Sequence, residues 1–112
     1  MDTTNNGNKR LAPEEIKRIA RQYARKVRRK YKESRLILFG SYTKGTFHSE
    51  SDIDIAVILP GFENLMETQL ELMRLRRDID TRIEPHPIKS GDFDSDCVLT
   101  TEIKKYGWEI SE

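Results

Sequence analysis

The chain has 112 residues, of which 35% are charged and 36% hydrophobic, and its formal net charge at pH 7 is +1. This length predicts one domain, and the near-neutral charge excludes a histone-like polycation and an acidic tail protein. The single cysteine, Cys97, excludes an intrachain disulfide, and no apolar run reaches the roughly 20 residues that cross a bilayer. We therefore expect no membrane partner, and the lack of a signal-peptide pattern predicts a cytoplasmic location.

A polar lead-in and an amphipathic helix are predicted for the first third of the chain. Residues 1–10 are rich in Asn, Thr and Gly, which predicts a disordered segment ahead of a single domain over 11–112. Pro13 suits the first position of a helix because its φ is fixed and it has no N–H to satisfy. From Ile16 to Tyr31, apolar residues recur at three- and four-residue steps, which indicates one buried stripe.

The net charge conceals an uneven distribution. Lysine and arginine predominate between Lys9 and Arg35, whereas acidic residues predominate in the rest of the chain. The basic helix has three interpretations: a solvated face, a docking surface for an acidic protein, or a contact surface for nucleic acid. Few aromatic residues interleave with the basic ones, so nucleic acid is the less favoured of the two partners.

The remaining pattern alternates strands and helices. Apolar runs predict strands at Arg35–Phe39 and Ile53–Leu59, followed by a helix over residues 63–78. A third strand is predicted for Ile79–Ile88, where two prolines favour an edge position, and a last helix for residues 95–106. This order predicts an α/β (α+β) domain with a mixed three-stranded sheet backed by helices. The two histidines, His48 and His86, are interpreted as ordinary loop residues.

Two carboxylates at the start of the second predicted strand are candidate metal ligands. Side chains alternate across a strand, so Asp52 and Asp54 share one face, with Cα atoms about 7 Å apart. Two adjacent carboxylates repel each other unless a cation lies between them. Carboxylate oxygens are ligands that suit Mg²⁺, which also binds substrate phosphates, so we expect a magnesium site here.

A glycine-serine turn is the predicted phosphate-binding element that accompanies these carboxylates. Gly40 ends the first predicted strand and allows the backbone to turn, so that Ser41 and the following amides are exposed to an anion. Lys44 adds a positive charge suited to phosphate. A triphosphate bound by Gly40, Ser41 and Lys44, with its metal held by Asp52 and Asp54, is arranged for in-line phosphoryl or nucleotidyl transfer.

A third carboxylate completes such a site, and two residues are candidates. Asp80 lies near the start of the third predicted strand, and Glu84 follows four residues later on the same face. We favour Asp80 because Pro85 follows Glu84 where the strand leaves the sheet. The predicted catalytic and metal-binding residues are therefore Asp52, Asp54 and Asp80, with Glu84 as the alternative third member.

Gly40-Ser41, followed after ten residues by Asp52-Ile53-Asp54, resembles the signature of the DNA polymerase beta-type nucleotidyltransferases. The complete run is most similar to the minimal nucleotidyltransferases, and the segment from Ile79 to Arg82 resembles the strand that carries the third carboxylate. The resemblance implies a polymerase beta-like fold, binding of ATP or another nucleoside triphosphate with Mg²⁺, and transfer of a nucleoside monophosphate with release of pyrophosphate.

The resemblance also implies a partner. Minimal members often pair with a HEPN-type helical protein as a toxin–antitoxin module, in which the nucleotidyltransferase can adenylylate its partner. Larger relatives carry a second domain that binds the acceptor, whereas only 32 residues follow Asp80 here. We therefore expect the acceptor to be presented by a separate molecule. Two alternatives are a non-catalytic antitoxin that acts by contact alone and a transferase that modifies nucleic acid.

Overall fold

Helices and strands alternate along the chain in the computed structural model, which describes residues 12–95 and 97–111. The strands in this described part are β1 (Arg35–Phe39), β2 (Ile53–Leu59), β3 (Ile83–Lys89) and β4 (Trp108–Ile110). The helices in the same ranges are α1 (Glu14–Lys30), α2 (Ser41–Lys44), α3 (Leu65–Leu75), α4 (Ser90–Phe93) and α5 (Val98–Tyr106). The lead-in predicted for residues 1–10 lies outside the described residues.

The strands form one mixed sheet in the order β3-β2-β1-β4. Strand β1 pairs antiparallel with β2 and with β4, while β2 and β3 are parallel. The predicted α/β fold and mixed sheet are confirmed, but the sheet has four strands rather than three. The added strand, β4, is only three residues long, and the guanidinium of Arg28 on α1 donates to the carbonyl of Ile110 at 2.8 Å.

Each face of the sheet carries its own hydrophobic cluster. On one face, α1 packs its apolar stripe against the sheet and α3, and the buried Tyr23 hydroxyl donates to the Leu72 carbonyl at 2.7 Å. This bond satisfies one of the carbonyls that the end of a helix leaves without an intrahelical partner. On the other face, α4 and α5 cover a second cluster that includes Phe39, Ala56 and Ile103. The functional residues predicted at the start of β2 lie beside this second cluster.

Several basic residues of α1 contribute to the fold. Lys26 forms an ion pair with Asp78, and Lys30 forms one with Glu71 at 2.6 Å. The side chains of Lys17 and Arg21 lie over the Trp108 ring, at 5.2 and 5.4 Å from its centroid. The basic helix is therefore partly neutralised and packed within the domain, while other basic residues, such as Arg18 and Arg29, stay exposed.

Three predicted elements have wrong boundaries. The second predicted helix, placed at 63–78, is α3 at Leu65–Leu75, and the last helix begins at Val98 instead of residue 95. The third strand begins at Ile83 rather than Ile79, because a turn continues from α3, in which the amides of Ile79 and Asp80 both donate to the Arg76 carbonyl. Within the described ranges, no helix combines the length and the apolar character that a bilayer crossing requires.

Candidate functional site

The carboxylate of Asp54 lies directly against Gly40. In the antiparallel pairing of β1 and β2, Asp54 is opposite Phe39, the residue before the glycine. Gly40 is buried and adopts φ 83° and ψ −149°, a conformation that side-chain-bearing residues rarely adopt. A Cβ atom on Gly40 would lie 2.4 Å from Asp54 Oδ2. Glycine is therefore required here both by the backbone conformation and by the close approach of the carboxylate.

Two side chains of β3 lie on the same face as Asp54. The parallel register aligns Glu84 with Asp54, and His86 follows two residues later. The Nε2 atom of His86 lies 3.0 Å from Asp54 Oδ1, and its ring meets the Phe39 ring edge-on at a centroid distance of 5.0 Å. The interpretation of His86 as a loop residue is wrong, because it belongs to β3. The sequence does contain a signal for this position: His86 lies two residues after Glu84 in the predicted strand, and this spacing puts both side chains on one face.

Asp52 precedes the first residue of β2 and is exposed, whereas Asp54 is half-buried. Since β2 begins at Ile53 and its residues alternate between buried and accessible positions there, the two carboxylates keep the two-residue spacing that puts them on one face. Of the two predicted carboxylates, Asp54 is held by neighbouring side chains and Asp52 is open to solvent.

Asp80 is held in a different environment. It lies in the turn before β3, where its Oδ1 accepts from the Arg82 amide at 2.9 Å and from Arg82 Nε at 3.0 Å. Its Oδ2 accepts from the same guanidinium at 2.8 Å. The hydrogen bonds from Arg82 lower the pKa of the Asp80 carboxyl. The strand pairing therefore brings Glu84, and not Asp80, to the position beside Asp54.

The predicted phosphate-binding residues surround the start of α2. Gly40 precedes the helix, and its carbonyl accepts from the amides of Thr43 and Lys44, both at 3.1 Å. Ser41 is the first helical residue and is partly exposed. The ammonium group of Lys44 lies 3.7 Å from a carboxylate oxygen of Glu102 on α5. Gly40 thus adjoins Asp54 and Ser41 is the next residue of the chain, whereas Lys44 is paired with a neighbouring helix.

The donor chemistry of the site fits a hard divalent cation. Asp52, Asp54 and Glu84 offer carboxylate oxygens, the ligand type that Mg²⁺ prefers. Among the described residues, no group of three or more His, Cys, Asp or Glu side chains is arranged to hold a metal ion. Magnesium is commonly bound by one or two carboxylates together with substrate phosphates and water, rather than by a complete protein cage. The residues therefore fit an ion whose remaining coordination positions are filled by phosphate oxygens or water.

A buried glycine turn that lies against Asp54 near the start of a strand, within a mixed sheet, is the arrangement expected of a nucleotide-transferring domain. Residues 20–106 match the nucleotidyltransferase domain family, and the chain belongs to that family. The resemblance inferred from Gly40-Ser41 and Asp52-Ile53-Asp54 is thereby confirmed, as is the enzyme class, nucleotidyltransferase.

Two curated relatives come from Methanocaldococcus jannaschii and are named, by inference, as protein adenylyltransferases. One, MJ1379, is 36% identical over 93 residues, which cover 75% of this chain and 93% of the relative. The other, MJ0141, is 35% identical over 88 residues, which cover 72% of this chain and 82% of the relative.

Solved structures show the same fold. A crystal structure of a toxin-antitoxin with AMP-PNP superimposes with a TM-score of 0.61 at 26% identity, covering 81% of this chain and 72% of that chain. The crystal structure of an inferred nucleotidyltransferase from Sulfolobus solfataricus gives a TM-score of 0.63 at 21% identity, covering 80% of this chain and 84% of that chain. The predicted nucleotidyltransferase fold is confirmed.

Proposed function

We propose that this protein is a Mg²⁺-dependent protein adenylyltransferase that moves AMP from ATP to a hydroxyl group of a partner protein. The partner would be the toxin of a toxin–antitoxin pair, of the HEPN helical type, and the reaction would take place in the cytoplasm, where ATP is abundant. Support comes from the family membership, from the two relatives named as protein adenylyltransferases, and from the similarity to the toxin-antitoxin structure with AMP-PNP.

The observation that carries the proposal is the contact between Gly40 and Asp54. It places a metal-binding type of carboxylate beside a backbone turn of the kind that receives phosphate. Glu84, aligned with Asp54 across the parallel strands, is the third carboxylate in this proposal. Asp80 is replaced in that role because both of its oxygens already accept hydrogen bonds from Arg82.

The reaction forms a bond between the acceptor oxygen and the α-phosphorus of ATP and breaks the bond from that phosphorus to the bridging oxygen of the β-phosphate. Pyrophosphate leaves, and the acceptor hydroxyl gives up its proton. Bound Mg²⁺ supplies stabilisation of the charge that develops on the phosphate oxygens. In this proposal Gly40 and Ser41 would bind the triphosphate, and Asp52, Asp54 and Glu84 would hold the ion together with phosphate oxygens and water.

In this proposal the acceptor belongs to a second molecule. In the described part of the chain, α4 and α5 pack on one face of the sheet. Exposed arginines of α1, such as Arg18 and Arg29, offer a basic surface to such a partner. An acidic partner surface would complement this charge and speed the encounter.

The test uses ATP labelled at either the α- or the γ-phosphate, with Mg²⁺ and the purified product of the neighbouring gene. We expect α-label, but no γ-label, to appear on the partner protein. The Asp54→Asn variant should transfer none, whereas Asp94→Asn, an exposed acid away from the site, should match the wild type. Transfer of γ-label would identify a phosphoryl transferase and contradict the proposal.

Two outcomes favour the alternatives. A stable complex with the partner, together with no transfer of label by the wild-type protein, indicates an antitoxin that acts by contact alone. Label on added RNA instead of protein indicates a transferase of nucleic acid, and it should then weaken when Arg18 and Arg29 are replaced by glutamine. Either result contradicts protein adenylylation.

A further inference from the structure

We propose that His86 is a positioning residue that holds the Asp54 carboxylate in the orientation needed to bind the metal ion. This inference rests on the proposed function for its consequence in catalysis, but its structural basis is independent of the acceptor. Asp54 is the carboxylate that lies against the glycine turn, and His86 is the side chain whose Nε2 atom is within hydrogen-bond distance of it.

The geometry divides the two oxygens of Asp54 between two neighbours. His86 Nε2 lies 3.0 Å from Oδ1, while Oδ2 lies over Gly40, where a Cβ atom would come within 2.4 Å. An ionised carboxylate accepts hydrogen bonds only, so the imidazole carries its proton on Nε2 in this contact. The bond therefore fixes the rotation of the carboxylate and directs Oδ2 towards the Gly40–Ser41 turn.

The imidazole is itself held in place. His86 is part of β3, and its ring packs edge-on against Phe39, with an interplanar angle of 64°. The histidine and aspartate side chains are only 30% and 23% exposed, so water competes weakly for their hydrogen bond. A donor supplied by a strand and braced by an aromatic ring keeps its position more accurately than one on a loop.

Partners that orient a metal ligand contribute measurably to metal binding. Removing such a partner commonly lowers metal affinity or activity about 10- to 100-fold. We expect a loss in this range when His86 is replaced by leucine, which keeps an apolar contact with Phe39 but has no donor. Glutamine should restore most of the affinity, because its Nε2 amide can donate to Asp54 from a side chain of similar length.

The experiment measures binding of Mn²⁺, used as a paramagnetic substitute for Mg²⁺, by the electron paramagnetic resonance signal of the free ion. Wild type, His86→Leu, His86→Gln and Asp54→Asn are compared, with His48→Ala as the matched control, since it removes the other, exposed histidine. We expect wild type, His48→Ala and His86→Gln to bind alike, His86→Leu to bind about 10- to 100-fold more weakly, and Asp54→Asn to bind weakest. Circular dichroism and thermal unfolding establish that each variant is folded.

Three results would overturn the inference. Equal affinity in wild type and His86→Leu would show that the hydrogen bond does not support the metal site. Equal losses in His86→Leu and His86→Gln would show that the imidazole acts as a ligand rather than as a donor. Wild-type affinity no higher than that of Asp54→Asn would show that Asp54 does not bind the ion. Failure of the proposed function is separate, because it appears as absent transfer to the partner while the His86 effect on Mn²⁺ affinity persists.

Discussion

Replacing Gly40 with alanine tests the packing on which the site is built. The backbone at this position has φ 83° and ψ −149°, and holding an L-residue in such a region costs about 1–3 kcal/mol. The new methyl group would also meet Asp54 Oδ2 at 2.4 Å and Asp54 Cγ at 3.1 Å. The carboxylate can escape this contact only by rotating away, which breaks its hydrogen bond with His86.

The backbone strain and the displacement of the Asp54 carboxylate both destabilise the folded state. Breaking a partly buried hydrogen bond to a charged group costs a further 1–3 kcal/mol or so. We therefore expect Gly40→Ala to lower the free energy of unfolding by at least about 2 kcal/mol, which is roughly a 30-fold change in the folding equilibrium. Metal binding and transfer of AMP should fall as well, because Asp54 leaves its position.

Urea denaturation measures the loss as a shift of the midpoint at constant slope. Gly91→Ala is the matched control, since a Cβ atom there meets no atom within 4 Å and the residue lies in α4. That control should be as stable as wild type or gain about 0.5–1 kcal/mol. If Gly40→Ala proves as stable as Gly91→Ala and still binds Mn²⁺, the contact between Gly40 and Asp54 does not define the site.

Three further substitutions test other parts of the structure. Tyr23→Phe removes the donor to the Leu72 carbonyl and should lower the free energy of unfolding by about 1–2 kcal/mol in urea denaturation; an unchanged midpoint would contradict a buried hydrogen bond. Hydrogen bonds from Lys30 and Tyr31 lower the pKa of Glu71 from its ordinary 4.5, so its stabilising effect is present above that pH and is lost as the pH falls through the lowered value. The stability of wild type relative to Glu71→Gln should therefore decline in acid, and a difference that does not depend on pH would refute this. Asp54→Asn should leave the metal-free protein within about 0.5 kcal/mol of wild type, because the amide oxygen still accepts from His86, and should abolish transfer; a large loss of thermal stability would make Asp54 structural.

Local patterns predicted the elements that depend on them. The helical stripe from Ile16 to Val27 and the nearly continuous apolar runs of β1 and β2 predict the observed bounds closely, because these are the residues that the core buries. Strand β4 was not predicted, because three residues are too few to show the two-residue alternation of a strand. It exists through pairing with β1 and through the hydrogen bond from Arg28, which are contacts between distant parts of the chain.

The site also combines features that depend on neighbours in the sequence with features that depend on contacts between distant segments. The glycine turn and the pair Asp52 and Asp54 follow from spacing along the sequence, since both depend on neighbours in the chain. The choice between Asp80 and Glu84 depends on the register between β2 and β3, and no local pattern encodes the register of a parallel pair. The turn hydrogen bonds after α3 delay the strand to Ile83, and this shift moves Glu84, instead of Asp80, beside Asp54.

We propose that Asp54 and Glu84 together support adenylyl transfer to a partner protein. The most direct measurement is the intact mass of the partner after incubation with ATP and Mg²⁺, in the presence of wild type, Asp54→Asn, Glu84→Gln or Asp80→Asn. We expect a mass gain of one or more adenylyl groups with wild type and Asp80→Asn, and none with Asp54→Asn or Glu84→Gln. A full mass gain with Glu84→Gln, or its loss with Asp80→Asn in a folded protein, would contradict the assignment of Glu84 rather than Asp80 as the third carboxylate.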